Sequence, residues 1–345
     1  MKPIYYFLLV AFCFTALSCE EAGSYRSLKL AHGLSVEHPV SKAMSYLAER
    51  CGEISGGKLR IDVYPSEQLG RERELLELLQ IGSIAITKVS GAVLENFAPT
   101  TRVLGLPYIW RSREHQFAVL DGEIGKEMLD ASVAYRLKGL CFFDAGFRSF
   151  YTKEKPVQIP ADLNGLKIRV QESKTAKDMV NTLGGSATPI PWGELYSALQ
   201  QGVVDGAENN PPSFVSSKHY EICKYYSINE HSAVPDVLLM STQWWDRLNE
   251  QEKEWLNQAV ADAVIYQREV WAQAEKDCIA LVKENGVEVV YPDKSPFMDK
   301  LSGTFDQFKD QTELYELIGR IQSVEVAVPE PDTLTLETAS ASTAD

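Results

Sequence analysis

The chain has 345 residues, 45% hydrophobic and 24% charged, a globular composition that excludes collagen-like, coiled-coil and wholly disordered proteins. Its length suits roughly two domains, each with a core of its own. A net charge of −14 argues against sequence-independent nucleic-acid binding, which needs a basic footprint, but leaves room for a local basic pocket.

In chain order, the first feature is Lys2 followed by an apolar run from Ile4 to Leu17 and then Ser18-Cys19. The run has the length of a signal-peptide core and is too short to cross a bilayer comfortably. Ala16-Leu17-Ser18-Cys19 resembles a bacterial lipobox. That reading makes residues 1–18 a lipoprotein signal peptide and Cys19 a lipidated first residue, tethering the protein to a membrane by acyl chains. The alternative is a simple cleaved signal in which Cys19 is incidental. Cys51, Cys141, Cys223 and Cys278 show no close spacing and no CxxC, so buried free thiols are the plain expectation.

Strand and helix signals then alternate. Ser27–Ala31 reads as a strand. Pro39 suits a first helical position, and Val40, Ala43, Met44, Leu47, Ala48 and Cys51 follow at helical spacing. Leu59, Ile61 and Val63 alternate as a strand, Arg71–Ile81 reads as a helix and Ile84–Val89 as a strand. This β-α-β-α-β order predicts a mostly parallel sheet flanked by helices. A second series follows: strands at Gly139–Phe143, Arg148–Thr152, Leu166–Val170 and Val203–Ala207, with helices at Ser173–Leu183 and Gly193–Gln201. Ser241 is a candidate cap for a short helix, Thr242–Leu248. Asn249, with Glu252 in the capping-box position, starts a helix expected to run from Glu250 to Asn285 and to stop at Gly286. A helix of that length, about 54 Å, exceeds one small domain and is expected to run along two. Val287–Tyr291 reads as a strand and Ser302–Ile321 as a last helix. From Val324 onward the chain is Pro-, Ser- and Thr-rich and lacks Lys and Arg, the composition of a disordered acidic tail.

No GxSxG, HExxH, Walker A or GxGxxG pattern is present, and nothing in the His and Cys spacing calls for a metal or a cofactor. Two arginines stand out. Arg148 lies between extended segments. Arg169 lies on a strand in which Leu166, Ile168 and Val170 take one face while Lys167 and Arg169 take the other. On pattern alone Arg169 is either a surface ion-pair partner or a cleft residue whose planar fork suits a carboxylate. Asn209 and Asn210 follow a strand, where open α/β sheets bind ligands, although Asn-Asn-Pro-Pro also favours a plain turn.

Together these pieces resemble the DctP family of substrate-binding proteins of tripartite ATP-independent periplasmic (TRAP) transporters. The resemblance spans roughly Leu28 to Ile321. It is carried by Val63-Tyr64-Pro65-Ser66-Glu67-Gln68-Leu69-Gly70, by Arg148 after Gly-Phe, and by Asp162-Leu163-Asn164-Gly165-Leu166-Lys167-Ile168-Arg169-Val170. Gly184–Pro191, Glu194–Gln200 and Asp205-Gly206-Ala207-Glu208-Asn209 follow in order, with the long helix behind them.

The resemblance implies a two-domain periplasmic-binding-protein fold closing over a cleft. Domain I would comprise residues 24–146 plus 235–270, domain II 147–234 plus 271–323, and 324–345 the tail. It implies that Arg169 holds a ligand carboxylate bidentately, with Arg148 and Asn209 beside it. Glu208-Asn209-Asn210-Pro211-Pro212, with His231, looks like members that bind sugar acids such as uronates and aldonates. His32, Glu67, Lys88, Asn210 and His231 are candidates for the ligand's hydroxyls, Trp192 for stacking on it, and Glu208 is a further ligand-site candidate. The implied protein is no enzyme. It is a periplasmic receptor that hands a small organic acid to TRAP membrane permease subunits; the lipobox adds a lipid anchor through Cys19, whereas most family members are freely soluble in the periplasm. C4-dicarboxylates, keto acids and sialic acid remain open as ligands, and an exported sugar-acid enzyme or a sensor subunit as other roles.

Overall fold

The computed structural model describes residues 25–326, so the leader, Cys19 and residues 327–345 of the tail lie outside the described residues. Eleven strands are described: β1 (Arg26–Ala31), β2 (Leu59–Tyr64), β3 (Ile86–Ser90), β4 (Leu137–Phe143), β5 (Arg148–Thr152), β6 (Lys167–Val170), β7 (Ser186–Pro189), β8 (Gly206–Asn209), β9 (Tyr225–Ser232), β10 (Asp236–Ser241) and β11 (Glu288–Val290). They form two sheets, one ordered β2-β1-β3-β10-β4 and the other β11-β9-β5-β8-β6-β7.

The first sheet starts as the sequence pattern requires. β1 runs parallel to β2, in register from Arg26–Leu59 to Ala31–Tyr64, and parallel to β3. The helix Pro39–Ile54 lays its stripe of Val40, Ala43, Met44, Leu47 and Cys51 against this sheet, all fully buried. Complete burial of a Val, Leu or Met side chain contributes roughly 1.5–3 kcal/mol, so this stripe holds the helix to the sheet. His38 caps the helix: its Nδ1 accepts from Val40 N at 3.2 Å, and Pro39 gives up an N–H that would otherwise lack a partner.

The sheets are joined where the chain crosses between them. β4 ends at Phe143 and β5 begins at Arg148; β9 ends at Ser232 and β10 begins at Asp236. β10 lies antiparallel between β3 and β4, and β5 antiparallel between β8 and β9. The β-α-β segments pair in parallel, and the antiparallel pairs all involve these crossing strands. Asp144 is clasped by Gln267, whose Oε1 accepts from Asp144 N at 3.0 Å and whose Nε2 donates to Asp144 O at 2.7 Å. Gly146 follows at φ +58°, and a Cβ there would lie 2.5 Å from Glu275 Oε1, so the crossing needs glycine.

Both Gln267 and Glu275 belong to the long helix, Glu250–Glu284, 35 residues and about 52 Å long. The expected capping box is present: Asn249 Oδ1 accepts from Glu252 N, and Glu252 Oε2 from Asn249 N, each at 2.9 Å. Leu256, Ala259, Val260, Ala263 and Trp271 join the core under the first sheet, while Ile279 and Val282 pack into the core of the second. One rigid rod therefore serves both cores.

Three local expectations shift. β8 is Gly206–Asn209, three residues later than Val203–Ala207, because the preceding helix closes through Gly202 (φ +74°) and Val203 N donates back to Ala198 O. The segment read as one helix over Gly193–Gln201 is a 3₁₀ turn, Trp192–Glu194, followed by Leu195–Gln200. The segment read as a last helix over Ser302–Ile321 is a 3₁₀ stretch, Ser302–Phe308, followed by a helix, Thr312–Ser323, and a further helix, Ser295–Leu301, precedes it. The final piece buries Leu314, Leu317, Ile318 and Ile321 in one cluster with Trp110, Val119 and Met128, beside the first sheet and not the second. Cys51, Cys141 and Cys223 are buried free thiols and Cys278 is a half-buried one.

Candidate functional site

A cleft lies between the two sheets, with about 710 Å³ of empty space counting its open mouth. Its walls come from the ends of β1, β2 and β3, from both crossings, and from the ends of β6, β7 and β8. In α/β folds the carboxyl ends of strands are where backbone and side chains converge without a covering helix.

Arg169 is the most informative wall residue. It sits on β6 and is buried to 2% exposure. Its Nε donates to Ile190 O at 2.8 Å, yet its Nη1 has no hydrogen-bond partner. No carboxylate of a described residue lies within ion-pair distance of it. Burial pulls its pKa below the ordinary guanidinium value, as expected for a desolvated charge without full compensation. The ring of Trp192 covers it, with the guanidinium carbon 5.9 Å from the ring centre. A planar fork held this way accepts a carboxylate through parallel N–H···O bonds.

Arg148 is different. Its Nε and Nη2 grip Glu208 at 2.5 and 2.8 Å, Nη2 also reaches Glu208 O at 2.8 Å, and Nη1 donates to Asn209 Oδ1 at 2.8 Å. Burial alone would push the Glu208 carboxyl up, but Arg148, together with His231, outweighs it and holds Glu208 at about 2. The charge of Arg148 is therefore already matched, leaving one N–H for the cleft. Asn209 Oδ1 also accepts from Asn210 N, which leaves the Asn209 amide nitrogen without a described protein partner. Asn210 caps the helix Pro211–Ser216, its Oδ1 accepting from Ser213 N and its Nδ2 donating to Ala145 O, both at 2.8 Å.

Lys88, on β3, lines the cleft at 2% exposure. Its Nζ lies 3.2 Å from Glu72 Oε1 and 3.1 Å from Asp236 Oδ1. Burial opposes its charge, but Asp236 and Glu72 together outweigh burial and raise its pKa. Glu67 stands on two successive non-glycine residues in the left-handed region, Ser66 at φ 56° and Glu67 at φ 58°. Such backbone strain persists only where its surroundings enforce it. Glu67 Oε1 accepts from Gly193 N at 3.2 Å, across the cleft, and burial raises its pKa.

Of the ten expected ligand residues, Arg169, Arg148, Asn209, Asn210, Glu67, Lys88 and Trp192 line the cleft. Glu208, His231 and His32 lie behind that wall. Glu208 holds Arg148, His231 sits between Asn229 and Glu208, and His32 Nδ1 accepts from Leu34 N. Burial first, then Lys88, lowers the His32 pKa to about 3, so it stays neutral. The sequence reading missed His38, Glu72, Ser213 and Asp236 as wall residues. His38 had a usable signal, the N-cap position before Pro39. Glu72 enters on the first turn of the helix Glu72–Gln80, Ser213 on the helix Pro211–Ser216 and Asp236 at the second crossing.

Several contacts bridge the two walls: Glu67 to Gly193, Arg71 to Glu194, Glu95 to the backbone of Lys174 and Thr175, and Asn96 Nδ2 to Glu172 O at 2.6 Å. The described geometry is thus a closed cleft around a buried cation. Among the described residues no group of His, Cys, Asp and Glu is arranged to hold a metal.

The model of the DctP family, bacterial extracellular solute-binding protein family 7, matches residues 30–311. A solute-binding protein of Chromohalobacter salexigens is 34% identical over 84% of this chain and 86% of its own. Among solved structures, a TRAP periplasmic solute-binding protein from Bradyrhizobium sp. BTAi1 in complex with D-galacturonate is 39% identical, with a TM-score of 0.84 over 87% of this chain and all of that one. A TRAP periplasmic solute-binding protein from Anaerococcus prevotii with bound D-glucuronate is 38% identical, with a TM-score of 0.83 over 86% of this chain and 97% of that one. The cleft, the crossings and the long helix are thus those of a solute receptor, and the chain belongs to the DctP family of TRAP transporter solute-binding proteins.

Proposed function

We propose that this receptor binds the anion of a sugar acid, a uronate or an aldonate, and releases it unaltered to membrane permease subunits. The observation that carries the proposal is Arg169, a buried guanidinium in the cleft with a free Nη1 and no carboxylate partner. A buried charge left unpaired is costly, and a ligand carboxylate supplies what is missing. The remaining N–H of Arg148 and the amide nitrogen of Asn209 add donors near that carboxylate. Glu67, Asp236 and Lys88 offer hydroxyl partners of both kinds, which a polyol chain needs and a plain alkyl acid does not. Trp192 gives the pyranose ring or carbon chain an apolar face. The uronates found in the two solved relatives support the same class.

The mechanism is capture and closure. The open cleft admits the anion, Arg169 takes over its hydration shell, and the lobes around the two sheets, joined at Asp144–Phe147 and Ala233–Pro235, close until the bridging contacts form. No bond of the ligand is made or broken. A thermal-shift screen of D-glucuronate, D-galacturonate, D-gluconate and C4-dicarboxylates tests the class, since a ligand that binds only the native state raises the melting temperature. The uronates or gluconate are expected to give the largest rise; a rise with C4-dicarboxylates alone overturns the proposal. Anchoring through Cys19 belongs to the same proposal and rests on the Leu17-Ser18-Cys19 ending of the apolar leader. Labelled palmitate is expected to enter the wild-type protein and not Cys19→Ser, and equal labelling of both removes the anchor.

A further inference from the structure

The cations of the cleft wall are not equivalent. Arg71 is paired with Glu194, Arg148 with Glu208, and Lys88 with two carboxylates at once, Glu72 and Asp236. His38, also on the wall, is held neutral by burial first and by Lys88 next. Among the described lining residues Arg169 is the one cation without a carboxylate partner. Glu67, half-buried in the opposite wall, accepts from Gly193 N, while its neighbour Arg71 is paired with Glu194 instead. The cleft therefore offers one unmatched positive charge and, around Lys88, one negative charge too many.

We infer that Glu72 and Asp236, by saturating the charge of Lys88, confine the cleft to ligands with a single carboxylate and exclude sugar diacids. The inference rests on the sugar-acid reading and sharpens it. A first carboxylate fits on Arg169. A second one, carried at the far end of the same carbon chain, finds Lys88 already spoken for and faces Glu67, Glu72 and Asp236. Like charges brought together in a closed, water-poor site oppose binding strongly. A hydroxyl at that position meets no such penalty. It donates to a carboxylate oxygen of Asp236 or Glu67, or accepts the third N–H of Lys88. Discrimination of this kind works by an unfavourable contact with the wrong ligand, not by a better contact with the right one.

Three ligands isolate the effect. D-Galacturonate and D-galactonate are each converted to galactarate by oxidation at one end, so the diacid differs from each monoacid by a single added carboxylate. Titration calorimetry of the full-chain protein is expected to show the better-bound monoacid held at least about a hundredfold more tightly than galactarate. Glu72→Gln and Asp236→Asn, each freeing part of the Lys88 charge, are expected to narrow that ratio at least about tenfold by tightening galactarate. Either variant suffices if the other fails to fold, and the wild-type ratio needs neither. Galactarate bound within about threefold of the monoacid overturns the inference while leaving the sugar-acid reading intact. Two folded variants with an unchanged ratio overturn the assignment to Glu72 and Asp236. Binding of none of the three ligands overturns both readings together.

Discussion

Arg169→Met is expected to weaken sugar-acid binding by about thirtyfold or more, the lower end of the 2–5 kcal/mol range for truncating one partner of a buried, hydrogen-bonded charge pair. The reason is the arrangement of the guanidinium: buried, fixed by Nε to Ile190 O, covered by Trp192 and presenting Nη1 unpaired to the cleft. The same facts predict an effect of opposite sign on the empty protein. Without ligand, Arg169 is a desolvated charge with incomplete compensation, and methionine fills similar space with no charge to bury. The melting temperature of the ligand-free variant should therefore be no lower than that of the wild type, while the rise produced by ligand disappears. A variant that melts far below the wild type, or keeps its ligand affinity by calorimetry, removes Arg169 from the role of carboxylate clamp. Arg169→Lys is expected to recover only part of the loss, because an ammonium cannot form the two parallel bonds.

Glu208→Gln should cost the fold about 3–5 kcal/mol, the usual result of breaking a buried ion pair by removing one partner. Arg148 has 5% of its surface exposed and Glu208 1%, so water cannot replace the lost carboxylate. The pH dependence follows from the direction of the Glu208 shift. Its folded-state pKa, about 2, lies below the ordinary carboxyl value of 4.5. The pair's contribution is thus fully present above about pH 4.5 and is lost as the pH falls toward 2. Urea unfolding should show wild type and Glu208→Gln well separated at pH 7 and converging toward pH 2; a constant gap across that range contradicts the pairing. Replacing both residues, Arg148→Leu with Glu208→Leu, should destabilise less than Glu208→Gln alone, because no charge is then left buried without a partner. The result bears on the proposed function as well as on stability. Arg148 holds Asn209 in place on the cleft wall, so in the proposed role this pair orients the site while Arg169 takes the ligand's charge.

The sequence by itself determined the α/β class, the helix Pro39–Ile54 and its buried face, and both ends of the long helix. These features are local. An apolar residue every three or four positions, a proline after a capping residue, and Asn249 three residues before Glu252 act within a few turns of chain. Arg169 was also legible, as a charged residue on an otherwise apolar strand within a set of pieces that resembles a family. Tertiary structure decided what each charge does. Asp236 is 148 residues from Lys88 and Glu208 is 60 from Arg148, and no pattern along the chain reveals that these groups neutralise one another. β10, which carries Asp236, lies beside β3, which carries Lys88, and β5, which carries Arg148, lies beside β8, which carries Glu208; β9 and β10 escaped the sequence reading because they are nearly continuously buried, with no simple alternation. The two crossings and the end of β8 bring Asp236, Arg148 and Asn209 to one wall. The sequence supplied the candidate cations; burial and long-range contact pair all but one of them, and that is why Arg169 is the proposed place for a ligand's negative charge.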